Sequence, residues 1–392
     1  MSIGENSTDL EVVKKIIKES GGNPFFLYEL AQYYHSQLSN LNLTNNSNLV
    51  SIEEVLKSRI SQLSNKARVL LEVVAISGQP LERNLAKLAA KLTADEQVLA
   101  VLRAGRFVRI LKHGEKEEID TYHDRIRETT ITTLTMDLVI SYHTNLGLGL
   151  ESSSGSDPER LLYHFKESGD KKKAAKYALM AASSADQALA FDRAAQHYKT
   201  AIEINTSSNE ELQQIYTKLA QAQANAGRGA ESAASYLLAA NNNKDRLNLK
   251  RCAAEQLLMA GHIDEGTAIL KEVLAEVEIS WPETSMRALA PLLANRLQIW
   301  LRGLDFQQRN ESQISSEVLF SVDICKSVAI GLAQVDPLRG SYFNTKHLLL
   351  ALKAGEPLRI VKAIVLEIGF TSILKQARKY TKKLFEKEKE IA

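Results

Sequence analysis

QANAGRGAESAASYLLAA, residues 223–240, is answered 34 residues later by LLMAGHIDEGTAILKEVL, residues 257–274. Ala226-Gly227-Arg228 recurs as Ala260-Gly261-His262, Glu231 returns as Glu265, and Tyr236 is matched by the apolar Leu270. Glycine enters the left-handed backbone conformation that ends a helix without a steric penalty. Each glycine break therefore reads as the turn between two helices of about 13–16 residues. Small residues crowd one face of these helices: Leu219, Ala220, Ala222 and Ala224 before Gly227, then Ala230, Ala233 and Ala234 after it. Small side chains at a helix–helix contact let antiparallel neighbours approach closely.

A 34-residue helix–turn–helix period is that of tetratricopeptide repeats. Phe191-Asp192-Arg193-Ala194-Ala195-Gln196-His197-Tyr198 fits the same template, with a few extra residues before the next unit. Three related units predict an α-α superhelix. Proline, which costs about 3 kcal/mol inside a helix, is absent between Pro158 and Pro282, so a dense run of helices is permitted there. Breaks fall instead at Gly169-Asp170, Asn205 to Asn209, Gly227-Arg228-Gly229, Asn241-Asn242-Asn243 and Gly261-His262. Residues 146–280 thus read as tetratricopeptide-like repeats and 281–392 as a further helical-repeat region. Trp281-Pro282, Asp336-Pro337 and Glu356-Pro357 mark the later joints. The chain closes in a lysine-rich amphipathic helix expected to turn Ile373, Leu374, Ala377 and Leu384 inward.

Residues 46–145 follow another pattern. Ser51-Ile52-Glu53-Glu54 is a capping box opening a helix to about Leu63, with Ile52, Val55, Leu56, Ile60 and Leu63 on one face. Lys66 to Ser77 forms a more buried helix, stopped by Gly78-Gln79-Pro80, and two more are expected at Glu82–Lys91 and Ala94–Ala104. The period then becomes strand-like. Phe107-Val108-Arg109-Ile110-Leu111 and Glu118-Ile119-Asp120-Thr121-Tyr122 flank a polar turn, which reads as a β-hairpin before a helix from Asp124. Helices plus a hairpin wing make a winged helix. An Asn-rich loop near Asn40–Asn48 separates this unit from an N-terminal helical remnant, residues 1–45. The fold class is therefore mainly α, a winged helix followed by helical repeats.

Composition narrows function by exclusion. Lysine plus arginine (49) nearly balances aspartate plus glutamate (47), so a large nucleic-acid or anionic-membrane footprint is not expected. In the winged helix, the candidate recognition helix carries Arg103 but also Asp95 and Glu96, which would repel phosphate. Cys252 and Cys325 read as buried free thiols of a reducing compartment. No apolar run approaches the roughly 20 residues of a membrane span, and the first residues are not a signal peptide, so the cytoplasm is the expected location. The sequence contains no P-loop string, dinucleotide fingerprint, His-Glu-x-x-His, Cys-x-x-Cys or kinase catalytic loop. Catalysis by this chain alone is not expected, and no catalytic or metal-binding residue is assigned.

Two strings carry unusual chemistry. Gly21-Gly22-Asn23-Pro24-Phe25-Phe26-Leu27-Tyr28-Glu29-Leu30 can be a plain helix start, with Asn23 as cap and Pro24 at the first position. Tyr122-His123-Asp124-Arg125-Ile126-Arg127-Glu128 can be a strand end followed by an Asp124 N-cap and a surface Arg125–Glu128 pair.

Gly-Gly-Asn-Pro-Phe-Phe-Leu (21–27), Glu-Val-Val-Ala-Ile-Ser-Gly-Gln-Pro-Leu (72–81), Tyr-His-Asp-Arg-Ile-Arg-Glu (122–128), Leu-Ala-Phe-Asp-Arg-Ala-Ala (189–195) and His-Leu-Leu-Leu-Ala-Leu-Lys-Ala-Gly-Glu-Pro (347–357) occur in that order. Together they resemble the post-ATPase half of bacterial STAND-type signalling ATPases, especially large proteins with a Ser/Thr protein kinase, an AAA-like ATPase and tetratricopeptide repeats. The resemblance implies that Gly22 and Pro24 belong to the lid motif packed near the nucleotide base. It also implies that His123 senses the nucleotide phosphates. Both roles need an ATPase core, because the kinase, Walker A and Walker B parts are absent from this sequence. The chain is then expected to be a fragment, a split gene product or a remnant, with no cofactor of its own and ATP or ADP bound only in the full architecture. The implied function is a non-catalytic regulatory arm: a lid remnant and winged helix reporting nucleotide state, and repeats that bind a protein or small effector. Its partners would be that effector and the missing kinase–ATPase half, in cis or in trans. The alternatives are a freestanding interaction scaffold and a winged-helix DNA-binding regulator.

Overall fold

In the computed structural model, Gly227 and Gly261 both adopt the left-handed conformation, at φ 77° and 88°. The structure describes residues 7–39, 51–114, 116–153, 155–204, 208–372 and 378–391. The chain divides into two compact units, Met1–Ala178 and Leu179–Ala392.

In the second unit, helices α12 (Asn209–Asn225) and α13 (Gly229–Ala240) meet at the first glycine turn, and α14 (Arg246–Met259) and α15 (Ile263–Glu276) at the second. The two turns make the same backbone bonds. Arg228 N–H donates to the Gln223 carbonyl at 2.8 Å, and His262 N–H to the Leu257 carbonyl at 2.9 Å. A third copy joins α10 (Lys171–Gln187) to α11 (Phe191–Ile204), where Ala190 N–H donates to the Ala185 carbonyl at 2.8 Å. Leu189 occupies the glycine position there, at φ 57°. A residue with a Cβ is strained in this region, so the turn is not announced by composition.

Ala220, Ala222 and Ala233 are buried as the spacing predicts. Ala230 and Ala234 face solvent instead. Their expected places are taken by Ser232, whose hydroxyl donates to the Ala220 carbonyl at 2.7 Å, and Ser235, which donates to Gln223 Oε1 at 2.7 Å. A buried serine is tolerated because its hydroxyl is bonded. Close approach is real at Gly229, where a Cβ would meet the Gln256 carbonyl oxygen and the Ala260 methyl at 2.9 Å. These helix pairs stack as a tetratricopeptide-like α-α superhelix.

Helices α16 (Ser285–Arg302), α17 (Ser316–Leu332), α18 (Pro337–Ala354), α19 (Pro357–Ser372) and α20 (Arg378–Ile391) complete the unit. Pro337 and Pro357 stand at first helical positions, where a missing N–H costs nothing. Leu384 is fully buried, whereas Ile373, Leu374 and Ala377 lie outside the described residues. Cys325 is buried and free, and Cys252 is half-buried and free. Burial pushes the Cys325 thiol up to about 12.

In the first unit, α1 (Ser7–Ser20) and α2 (Pro24–Ser39) precede α3 (Ile52–Ser61) and α4 (Asn65–Ser77). The Asn-rich loop lies outside the described residues. The Ser51–Glu54 capping box is present, and Gly78 closes α4 in the left-handed conformation. Then come β1 (Leu81–Glu82), α5 (Arg83–Ala89), α6 (Glu96–Ala104), β2 (Val108–His113), β3 (Lys116–Thr121), α7 (Asp124–Thr132), α8 (Met136–Ser152) and α9 (Pro158–Glu167). The expected hairpin pairs Val108 with Thr121 through His113 with Lys116. It gains a short third strand, with Leu81 opposite Ile119, so the antiparallel order is β1-β3-β2. Helix, strand, two helices and a hairpin thus follow one another in this unit. Its core is aliphatic: Leu70, Leu71, Val73 and Val74 of α4 are buried, as are Leu81, Val108 and Ile119 of the sheet, and α4 packs on β3. No helix among the described residues is long and apolar enough to cross a membrane.

Candidate functional site

The Gly-Gly turn brings α2 against the winged helix. Gly21 and Gly22 are both left-handed, at φ 55° and 78°. Asn23 follows, its Oδ1 accepting the Phe25 N–H at 2.9 Å, and Pro24 opens α2. The rings behind this start are buried. Phe26 stands edge-on to the His123 imidazole, with centroids 4.5 Å apart, and Phe25 lies 5.2 Å from the Tyr122 ring. Two strings about a hundred residues apart thus form one corner.

His123, not Asp124, is the N-cap of α7. Its Nδ1 accepts the Arg125 N–H at 3.2 Å. A ring whose Nδ1 accepts carries its neutral-form proton on Nε2. The expected Arg125–Glu128 pair is replaced by one from Arg127, which reaches Asp120 at 2.7 Å and Asp124 at 3.4 Å. Asp120 is buried at the end of β3 and also receives Arg109 at 2.7 Å. Strand, helix and hairpin are tied through one carboxylate because a buried charge needs compensation. Arg125 is exposed beside His123, with no side-chain partner among the described residues.

Arg59 performs the matching task at α2. It pairs with the buried Glu29, donates to the Gly105 carbonyl at 2.7 Å and lies 4.7 Å from the Phe107 ring centroid. Neither Arg59 nor Asp120 stood out in the sequence. The available signal was an acid inside an apolar segment, as with Glu29 among Phe26, Leu27 and Leu30.

The electrostatics at the wing differ from the expectation. Asp95 is not an exposed charge: it is buried and paired with Arg83 at 2.8 Å, whose hydrogen bond lowers the Asp95 pKa. Arg83 also reaches Glu117 at 3.1 Å. The repulsion expected from Asp95 is thus internally compensated, but the solvent side of α6 still offers Arg103 as its one cation against Glu96.

A second polar feature lies farther along the first unit. His143 Nδ1 and His164 Nδ1 are 3.0 Å apart and both rings are buried, so one nitrogen donates and the other accepts. Burial, then the neighbouring His143 and Arg160, pushes His164 down to about 3; burial also lowers His143.

In the second unit, a groove of about 560 Å³ opens between the α14–α15 turn and α17. Leu258, Met259, Ile263, Ile330 and Val335 line it, with Glu255, Lys326 and Ser327 at its polar side. A more polar hollow of about 640 Å³ is lined by Gln213, Tyr216, Asn241 to Asn243 and Lys244. Such concave, mixed surfaces can take a peptide or small molecule.

No protein-family model matches the chain, and no curated protein matches it. Among solved structures, it is similar to the crystal structure of a Signal Transduction ATPase with Numerous Domains (STAND) protein with a tetratricopeptide repeat sensor from Pyrococcus horikoshii. The identity is 12% and the TM-score 0.40, over 97% of this chain and 59% of that one. The chain thus spans less than two thirds of that structure's length.

Proposed function

We propose that this chain is the regulatory arm of a STAND-type signalling ATPase linked to Ser/Thr kinase output. The observation that carries the reading is the corner where Pro24-Phe25-Phe26 meets Tyr122-His123. A lid element and a winged helix that both touch a nucleotide must present their contact residues side by side, and the packing of Phe25 and Phe26, which follow Gly22 and Pro24, on Tyr122 and His123 supports that arrangement. The half-buried His123 ring, with the exposed and unpaired Arg125 beside it, supplies hydrogen-bond and charge capacity for a phosphate. The P-loop would come from an ATPase core outside these residues, in cis or in trans. The grooves of the second unit are where an effector would act, shifting the balance between a core-bound and a released arm. Catalysis is assigned to the absent core and none to this chain.

Calorimetric titration tests this reading. The isolated chain should bind neither ATP nor ADP, and with a STAND ATPase core added in trans, ATP should be retained. His123→Ala should then weaken ATP relative to ADP by about tenfold, a typical coupling of about 1.4 kcal/mol. Micromolar ATP binding or hydrolysis by the isolated chain would overturn it. If His123→Ala and Pro24→Ala change nothing with the core present, the second reading holds: a freestanding repeat scaffold, which the apolar groove beside α17 favours.

A further inference from the structure

Helix α16 is apolar on two faces. The inner one buries Ala288, Leu292 and Ile299, while Arg296 pairs with the fully buried Glu367. On the outer side Met286, Leu289, Leu293, Leu297, Trp300 and Leu301 form a second stripe, and these side chains are 37–78% exposed. Met286, Leu293 and Trp300 are seven residues apart, the spacing of a seam between two packed helices. Isolated exposed leucines need no explanation, but a continuous row of six along one helix does.

We propose that this stripe is a two-fold contact through which two copies of the chain pair their α16 helices antiparallel. Three features select a second copy as the occupant. The stripe is self-complementary about Leu293: antiparallel pairing sets Met286 opposite Trp300 and Leu289 opposite Leu297, so a thioether meets an indole at both ends. The charges at its ends are complementary. Glu283, exposed and without a side-chain partner, lies just before the stripe, and exposed Arg302 lies just after it. Antiparallel helices bring these two together twice, whereas parallel helices would set Arg302 against Arg302. Finally, the stripe runs from Met286 to Leu301, so the contact extends along the whole of α16 rather than at one point. Of the exposed flanking residues Ala290, Ala294 and Gln298 are small or neutral, which suits close helix approach, and Arg287 adds a cation at one end.

Light scattering and sedimentation of the full chain across a dilution series test the pairing. Wild type should be a dimer that dissociates on dilution, and Leu293→Glu with Leu297→Glu should raise Kd at least a hundredfold without changing the circular dichroism. Oxidative cross-linking fixes the geometry independently of that variant. Leu293→Cys should cross-link to itself. A mixture of Met286→Cys and Trp300→Cys chains should form the mixed disulfide in excess over either homodimer, relative to wild type with its native thiols. A monomer at every concentration, a dimer indifferent to the glutamates, or self-linking of Met286→Cys in place of the mixed product overturns the proposal. So does a monomer that floats with phosphatidylserine vesicles, since the stripe would then be a lipid surface.

Discussion

Around Asp120 the first unit ties a hairpin and the helix after it through one buried carboxylate, whereas around Gly227 and Gly261 the second closes helix pairs through backbone turns. Asp120 holds Arg109 of β2 and Arg127 of α7, Glu29 of α2 holds Arg59 of α3, and Asp95 holds Arg83. The repeats instead close each helix pair with backbone bonds across a left-handed turn, then pack alanine and serine against alanine. Ion pairs that share a buried carboxylate concentrate stability in a few irreplaceable partners. Repeated local turns spread it over many equivalent ones.

The largest test of that contrast is Asp120→Ala. It leaves Arg127, only partly exposed, without its main partner, and should destabilise the first unit by about 3 kcal/mol. Hydrogen exchange should then speed in β2, β3 and α7 while α12 to α15 stay unchanged. Equal loosening in both units would break the comparison.

Acid provides a second test, of about 2 kcal/mol. His164 titrates near 3 when folded, against about 6.5 when unfolded. A depressed histidine leaves stability untouched above pH 6.5 and removes it as the unfolded chain takes up the proton below that value. Between pH 6.5 and 5 the first unit should lose about 2 kcal/mol from His164, at about 1.4 kcal/mol per pH unit. His164→Phe should flatten that slope in urea titrations monitored at α8 and α9. His347 of α18, which burial lowers to about 4, gives the second unit its own acid limit, so the variant must leave that one in place.

The smallest effect is a gain. Leu189 is 73% exposed and holds φ 57° where the other two turns have glycine. Leu189→Gly should stabilise the second unit by about 0.5–1 kcal/mol in thermal unfolding. A loss would mean that the leucine side chain contributes contacts beyond its turn.

Much of the fold was legible because its signals are local. The Ser51 capping box, the Gly78 stop, the prolines at α18 and α19 and the 34-residue recurrence each depend on the conformational preference of one or two residues. The third strand at Leu81–Glu82 was not legible, since two residues carry no alternation and exist as a strand only through Ile119 and Glu118. Nor was the Leu189 turn, where neither glycine nor asparagine marks the break.

The candidate site divides the same way. Asn23 as a cap and Pro24 as a helix start are written in the dipeptide itself. Phe26 against His123 is not, because residues about a hundred apart meet only through the packing of the helices and strands that carry them, and Asp120 between two arginines depends on the hairpin register and the turn into α7. Sequence alone settled the helical class, the hairpin and the repeat period, through periodicity and turn chemistry that act within a few residues. Tertiary structure alone decided which acid meets which base, which alanines face inward and which side of α16 is left open. Those outcomes depend on how whole elements dock, and no single residue's preference encodes that.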